Sequence, residues 1–286
     1  MSAATTPTTA RDERPAPQRS PLAASARRVG SLARAELLLL VRNRTALFNA
    51  LLLSPLTVVF LAAVTGLPDD DAGAQALFGA SLMTMLVAFS LLFVVYYNLT
   101  TALVARREEV VLKRLLTGES NAAEILTATA APALAVMLGQ AVLGTVAVVA
   151  LMEPPAFTNP VLLLVALLGG TVVFVLLAAA STGFTRTVES AQLTTLPVLL
   201  VTLLFSGLSL PLSMLPDLVQ RLAALTPLHP VVALMRLGLS GTDADGAVLT
   251  FAETFAAAVG PLAVLVAWVL VGVLAMRRWM RWQPRR

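Results

Sequence analysis

The sequence has no cysteine, one lysine and one histidine, and only 13% of its 286 residues are charged. Each scarcity closes off a class of chemistry. Without cysteine there is neither a disulfide nor a thiolate metal site, and His229 alone cannot form a histidine metal cluster. A phosphate-binding P-loop needs glycines followed by Lys-Ser or Lys-Thr. The sole lysine, Lys113, is followed by Arg114 and preceded by Arg-Glu-Glu-Val-Val-Leu, so no such loop is present. Nor does the chain hold a Ser/His/Asp or paired-carboxylate constellation. The reading is of a non-enzyme with no catalytic residue, no metal site and no cofactor of its own.

What is abundant is apolar sequence, 58% of the chain. It is collected into long runs, the pattern of an all-α protein with several membrane spans. Six spans are expected, over about 46–67, 77–104, 125–151, 161–181, 193–210 and 255–276. Residues 1–26 read as a disordered tail, because they are rich in Ala, Thr, Pro and Arg and lack an apolar core. Residues 27–44 interleave leucines with Arg27, Arg28, Arg34, Arg42 and Arg44, as in an amphipathic helix on a membrane surface; a simple extension of the first span is the alternative. The six-span domain then covers 45–278, and 279–286 is a basic tail.

With both termini placed in the cytoplasm, 18 of the 20 basic residues fall on the inner face and only Arg221 and Arg236 outside. That is the positive-inside pattern of a multi-pass inner-membrane protein of a bacterium. The expected spans carry no Asp, Glu, Lys or Arg at mid-depth, so a carrier driven by ions lacks the residues it would use. Energy is expected from a cytoplasmic partner.

Two stretches depart from the apolar background. The island at 105–124 repeats Val111, Leu112, Leu115 and Leu116 at helical spacing, and Thr117-Gly118 breaks it. The second lies over 210–239, where Pro211, Pro216, Pro227 and Pro230 divide an apolar run into segments too short to cross a bilayer. A pair of re-entrant or outer-leaflet helices fits this pattern, and a surface loop is the alternative. On the second span, Met83, Met85, Phe89, Phe93, Tyr96 and Tyr97 offer an aromatic and thioether face; it suits contact with an apolar substrate or packing against lipid and core. Gly139, Gly169 and Gly170 suit close helix approach.

These two stretches resemble the membrane subunit of an ABC-2 type ATP-binding cassette transporter. Leu112, Arg114, Leu115 and, one position earlier than in the pattern, Thr117 match the family's charged segment after the second span, commonly Arg-Glu-x-Gly-Thr-Leu-x-Arg-Leu-x-x-Thr-Pro. Val110-Val111 stands where that segment has Gly-Thr, and Gly118 follows Thr117 where that segment has proline after its threonine. Phe205-Ser206-Gly207, Pro211, Leu215-Pro216 and the following Pro227-Leu228-His229-Pro230 resemble the family's Phe-Ser-Gly-x-x-x-Pro-x-x-x-Leu-Pro and Pro-x-x-Pro.

The resemblance implies a coupling helix, with Arg107, Leu112, Lys113, Arg114, Leu115, Leu116, Thr117, Gly118 and Glu119 docking on a separate nucleotide-binding ATPase subunit. ATP and magnesium belong to that partner. It also implies a second membrane subunit, either a copy of this chain or a paralogue, around a shared path. The expected function is export of a lipophilic or amphipathic compound of the drug or antibiotic class. Export of a lipid or lipid-linked glycan is the alternative within the family. An ion-coupled carrier or a non-transporting membrane assembly protein is the alternative outside it.

Overall fold

The computed structural model describes residues 21–66, 71–111, 121–208, 216–244, 246–280 and 282. Their order is α1 (Pro21–Arg42), α2 (Arg44–Thr65), α3 (Ala72–Glu108), α4 (Ala122–Leu151), α5 (Pro160–Ser181), α6 (Val188–Leu204), α7 (Asp217–Ala224), α8 (His229–Leu239) and α9 (Phe251–Trp279). The described residues contain no β-strand beyond one isolated bridge, Thr242 to Val248.

The polar residues between apolar runs set where the helices begin. Asn121 and Glu124 close a reciprocal cap on α4, and Thr250 with Glu253 does the same for α9. Asn159 caps α5, with Pro160 in the first turn, where its missing N–H leaves no bond unmade. Asn159 is itself buried and donates its side-chain amide to Thr254 Oγ1 at 2.9 Å, which ties the start of α5 to that of α9.

α3 is the axis of the bundle. In its most apolar stretch 67% of residues are buried, against 6% for α2 and 17% for α9. Leu91, Leu92, Val95, Tyr96 and Leu103 on α3 are fully enclosed, while Phe60, Val64, Leu270 and Leu274 on the outer helices are exposed. Apolar side chains facing outward all along a helix suit hydrocarbon rather than water. Ser90–Tyr97, at the middle of α3, is wound as a π-helix.

Five described helices are long and apolar enough to cross a membrane; a sixth crossing arises if α7 and α8, bent by 83°, form one broken span. The fifth span expected over 193–210 is replaced by α6, which begins at Val188 and stops at Leu204. Its 17 residues reach about 25 Å, short of a hydrocarbon core of about 30 Å. The stop has a local cause. Ser206 Oγ donates to Leu203 O at 2.7 Å and accepts from Leu208 N, and Gly207 takes a positive φ of 85°. Phe205, Ser206 and Gly207 therefore form a turn that competes with further helix.

The prolines of 210–239 do divide the chain. Pro216 is the N-cap of α7, Pro227 lies in the bend, and Pro230 sits in the first turn of α8. α7 is mostly exposed, whereas α8 is buried from Pro230 to Leu239 except at Ala233 and Arg236. α8 starts about halfway along its neighbours: Val231 lies against Gly170 of α5, and Trp268 of α9 donates to Leu225 O at 2.8 Å. It ends at the start of α5, where Asn159 N donates to Gly238 O and Phe157 N to Leu239 O, both at 2.9 Å. Pro211 and Leu215 lie outside the described residues.

Glycines set the closest helix approaches. A Cβ on Gly139 would meet Leu51, one on Gly169 would meet Leu265, and one on Gly170 would meet Leu91 and Val231. At Gly183 the obstacle is backbone, with Trp279 O only 2.3 Å from the Cβ position. Gly183→Ala is therefore expected to destabilise the fold by about 1–3 kcal/mol. Gly30→Ala, in open space on α1, should be neutral or stabilise by up to about 1 kcal/mol. Thermal unfolding followed by tryptophan emission in detergent checks both.

Candidate functional site

Three arginines and two glutamates meet where α3 ends and α4 begins. Arg106 and Arg107 close α3, and Glu124 opens α4, so the connecting stretch at 109–121 leaves and returns at this cluster. Each side of the connection is fastened to a different element.

Arg107 is 1% exposed and faces the turn between α5 and α6. Nη1 donates to Thr182 O at 2.6 Å, and Nη2 donates to Thr185 O at 2.8 Å and Arg186 O at 2.9 Å. Those carbonyls belong to the turn that follows α5, irregular backbone whose acceptors need a partner, beside the negative end of the helix dipole. A rigid guanidinium fork serves three of them at once.

Arg106 turns the other way. Nη2 pairs with Glu36 of α1 at 2.6 Å, and Nη1 donates to Thr129 of α4 at 2.8 Å. Glu124, 3% exposed, accepts from Arg28 Nη2 at 2.8 Å, from Arg28 Nε at 3.2 Å and from Ser25 of α1. Its Oε2 also accepts from Asn121 N. Ser25, Arg28, Val29, Leu32, Ala33, Glu36, Leu37 and Leu40 are the partly buried residues of α1, spaced at three and four, while Arg27, Arg34, Leu38 and Val41 are exposed. α1 is thus an amphipathic helix laid on the bundle and fixed at two charged points.

Among the residues expected to dock a partner, Arg107 is the one described, and it is buried. Its guanidinium is enclosed by the α5–α6 turn and is not presented at a surface, because three backbone carbonyls need it more than solvent does. Leu112, Lys113, Arg114, Leu115, Leu116, Thr117, Gly118 and Glu119 lie outside the described residues. Val110, just before them, has φ of 62°, the left-handed region that costs a β-branched residue most. It occupies the position where the related segment carries glycine.

The aromatic and thioether residues of α3 do not form one face. Met85, Phe89 and Phe93 line a 340 Å³ pocket between α2, α3 and α4, with Thr57, Leu86, Ser90 and Gln140 among the other walls. The rings of Phe89 and Phe93 are stacked, centroids 5.8 Å apart. Met83 faces away, into a 160 Å³ space with Met235 and Leu239 of α8. Tyr96 is fully buried against α5, its hydroxyl 2.9 Å from Ser181 Oγ and its ring edge-on to Phe174. Tyr97 is half-buried. Met83 and Met85 sit two residues apart on regular α-helix and so face nearly opposite ways. The wider winding of the π-helical stretch alters the directions of Phe93, Tyr96 and Tyr97 within it.

Two residues of this region carried no expectation. Gln140 is the only amide side chain in α4 and is buried; Nε2 donates to Ala50 O of α2 at 2.7 Å and Oε1 accepts from Ser90 of α3. One amide in a thirty-residue apolar helix is a readable signal. Glu124 is the other, a carboxylate in the first turn of a helix whose expected role ended at the island.

The opposed roles of neighbouring residues at the end of α3 lead to opposed effects on stability. Arg107→Ala, leaving three carbonyls without their charged donor, should destabilise by about 3 kcal/mol or more. Val110→Gly should stabilise by about 1 kcal/mol, the left-handed cost less the entropy of a glycine. Chemical or thermal unfolding of the two variants beside the parent checks the signs.

Residues 27–239 match the family model described as ABC-2 type transporter. No curated protein matches the chain.

Proposed function

The chain belongs to the ABC-2 type transporter family, and from that premise we propose that it is the multi-pass permease subunit of an ATP-driven exporter. The family match over 27–239 carries this reading. ATP is bound and hydrolysed by a separate nucleotide-binding subunit, since the sequence holds no P-loop. That subunit docks from the cytoplasm on the stretch containing Leu112, Lys113, Arg114, Leu115, Leu116 and Glu119. Both termini and the arginine-rich end of the bundle lie on the cytoplasmic side of a bacterial inner membrane. The bend between α7 and α8 then approaches from the external side, and two membrane subunits share the path.

The geometry supports a transmission role for the cluster at 106–124. A push on the connecting stretch acts on a stem whose two sides are fastened to different bodies. Through Arg107 it reaches the α5–α6 turn, and through Arg106, Glu36, Arg28 and Glu124 it reaches α1. Hydrogen-bonded charged groups carry displacement better than loose apolar contact, because their geometry is directional. Substrate recognition in this reading uses uncharged surfaces. The pocket of Met85, Phe89 and Phe93 has no ionisable residue in its lining, which suits a lipophilic or amphipathic compound of the drug or antibiotic class.

The test is recovery of partners. The tagged protein, purified in mild detergent from its own cell type, should bring down a P-loop ATPase in stoichiometric amount, and Leu115→Asp should abolish this. Arg114→Glu should lower transport-coupled ATP hydrolysis at least tenfold while leaving the permease folded. Recovery of the chain alone under conditions that hold membrane complexes together would overturn the reading.

A further inference from the structure

The pocket between α2, α3 and α4 has a floor that a hydrophobic packing defect would not have. Its walls are apolar and its volume of 340 Å³ lies within the range of small-molecule sites. Yet Ser90 and Gln140, each 5% exposed, both line it. Their own bond has a defined direction: the Ser90 hydroxyl gives its proton to Gln140 Oε1, and Gln140 Nε2 is committed to Ala50 O. A serine oxygen that has donated its proton still carries lone pairs, so toward the pocket Ser90 is an acceptor. Beside it stand two parallel rings, Phe89 and Phe93, with interplanar angle 8°, and Phe93 is 44% exposed at the edge.

The surroundings restrict what can enter. α2 forms one wall and is the least buried of the long helices, so the pocket is reached from the hydrocarbon side. A ligand arriving from there must first dissolve in the bilayer. Among the described residues no Asp, Glu, Lys, Arg or His lines the site, so a charged ligand would lose its hydration without a counter-ion. An aromatic ring gains from stacking on the Phe89–Phe93 platform. A single N–H or O–H on that ring gains a bond to Ser90 Oγ that it cannot make in hydrocarbon.

We propose that this pocket is a binding site for a neutral aromatic ligand carrying one hydrogen-bond donor, entered from the bilayer between α2 and α3. The assignment deepens the transport reading and rests on it for the ligand's fate; binding itself is measured separately from transport.

The experiment uses the full chain in phospholipid nanodiscs and three probes of one ring size: 1-naphthol, naphthalene and 1-naphthoate. Equilibrium dialysis against protein-free nanodiscs removes simple partitioning. 1-Naphthol should bind about tenfold more tightly than naphthalene, the worth of one buried hydrogen bond, and 1-naphthoate should not bind measurably. Ser90→Ala alone would leave Gln140 Oε1 open as a substitute acceptor, so the double change Ser90→Ala/Gln140→Leu, which removes both oxygens, should bring 1-naphthol to within about threefold of naphthalene. Met85→Trp, which fills the space and leaves Ser90 and Gln140 in place, should weaken both neutral probes at least tenfold. Equal binding of 1-naphthol and naphthalene by the parent protein would overturn the assignment. So would binding of 1-naphthoate comparable to 1-naphthol, or Met85→Trp binding like the parent. The parent comparison needs no variant to fold. Binding as described without ATP-driven transport would sink the exporter reading and leave the site. Transport without binding would do the reverse.

Discussion

One guanidinium holds the arginine-rich end of the bundle together. Arg107 reaches three carbonyls of the turn that follows α5, irregular backbone whose acceptors a low-dielectric setting makes costly to leave unbonded. The placement of α3 relative to the α5–α6 turn follows from it. So does the freedom of Arg106, one residue earlier and on another face, to bind α1 and α4. Two adjacent arginines thereby join three helices, α1, α3 and α4, to the α5–α6 turn. The connection from α3 to α4 is carried on a rigid base.

The rest of the bundle obeys the rule that buried polar groups be satisfied within the protein. Where helices meet deep in the apolar region, hydroxyls return to their own backbone: Thr84 to Ala80 O, Thr100 to Tyr96 O, Thr195 to Ala191 O. The exceptions cross between helices and mark functional geometry. Ser90 and Gln140 join α3, α4 and α2 beside a pocket, and Tyr96 meets Ser181. Trp268 completes the carbonyl of Leu225 at the bend between α7 and α8. Each of these binds an irregular piece of backbone to a regular one.

Much of this organisation is written locally and could be read. Asn159-Pro160 marks the start of α5, the prolines from 216 to 230 divide α7 from α8, and Gly139, Gly169 and Gly170 admit close neighbours. The amphipathic face of α1 follows its leucine and arginine spacing. What escaped depends on residues far apart in the chain. Arg-Arg-Glu-Glu reads as a solvated run, and nothing local says that Arg107 meets carbonyls 75 to 79 positions later. The end of α6 escaped because the run from Leu193 to Leu210 is dominated by leucine and valine and carries no charge; a serine hydroxyl and a left-handed glycine stop the helix where hydropathy does not. The aromatic stripe of α3 breaks for two reasons: Met83 is only two residues from Met85 and faces nearly the opposite way on a regular helix, and from Ser90 to Tyr97 the chain is wound more widely.

The poor enclosure of α2 bears on how the molecule comes to be assembled. A helix with 6% of its span covered by protein draws its order from the bilayer, in which its backbone bonds are compulsory whether or not neighbours have arrived. α2 can therefore keep its helical form in the bilayer without α3 and α4 around it. What comes later is recognition within the plane of the membrane. Gln140, emerging some ninety residues behind Ala50, closes on the Ala50 carbonyl and Gly139 admits Leu51, so α2 is captured laterally by a helix made after it.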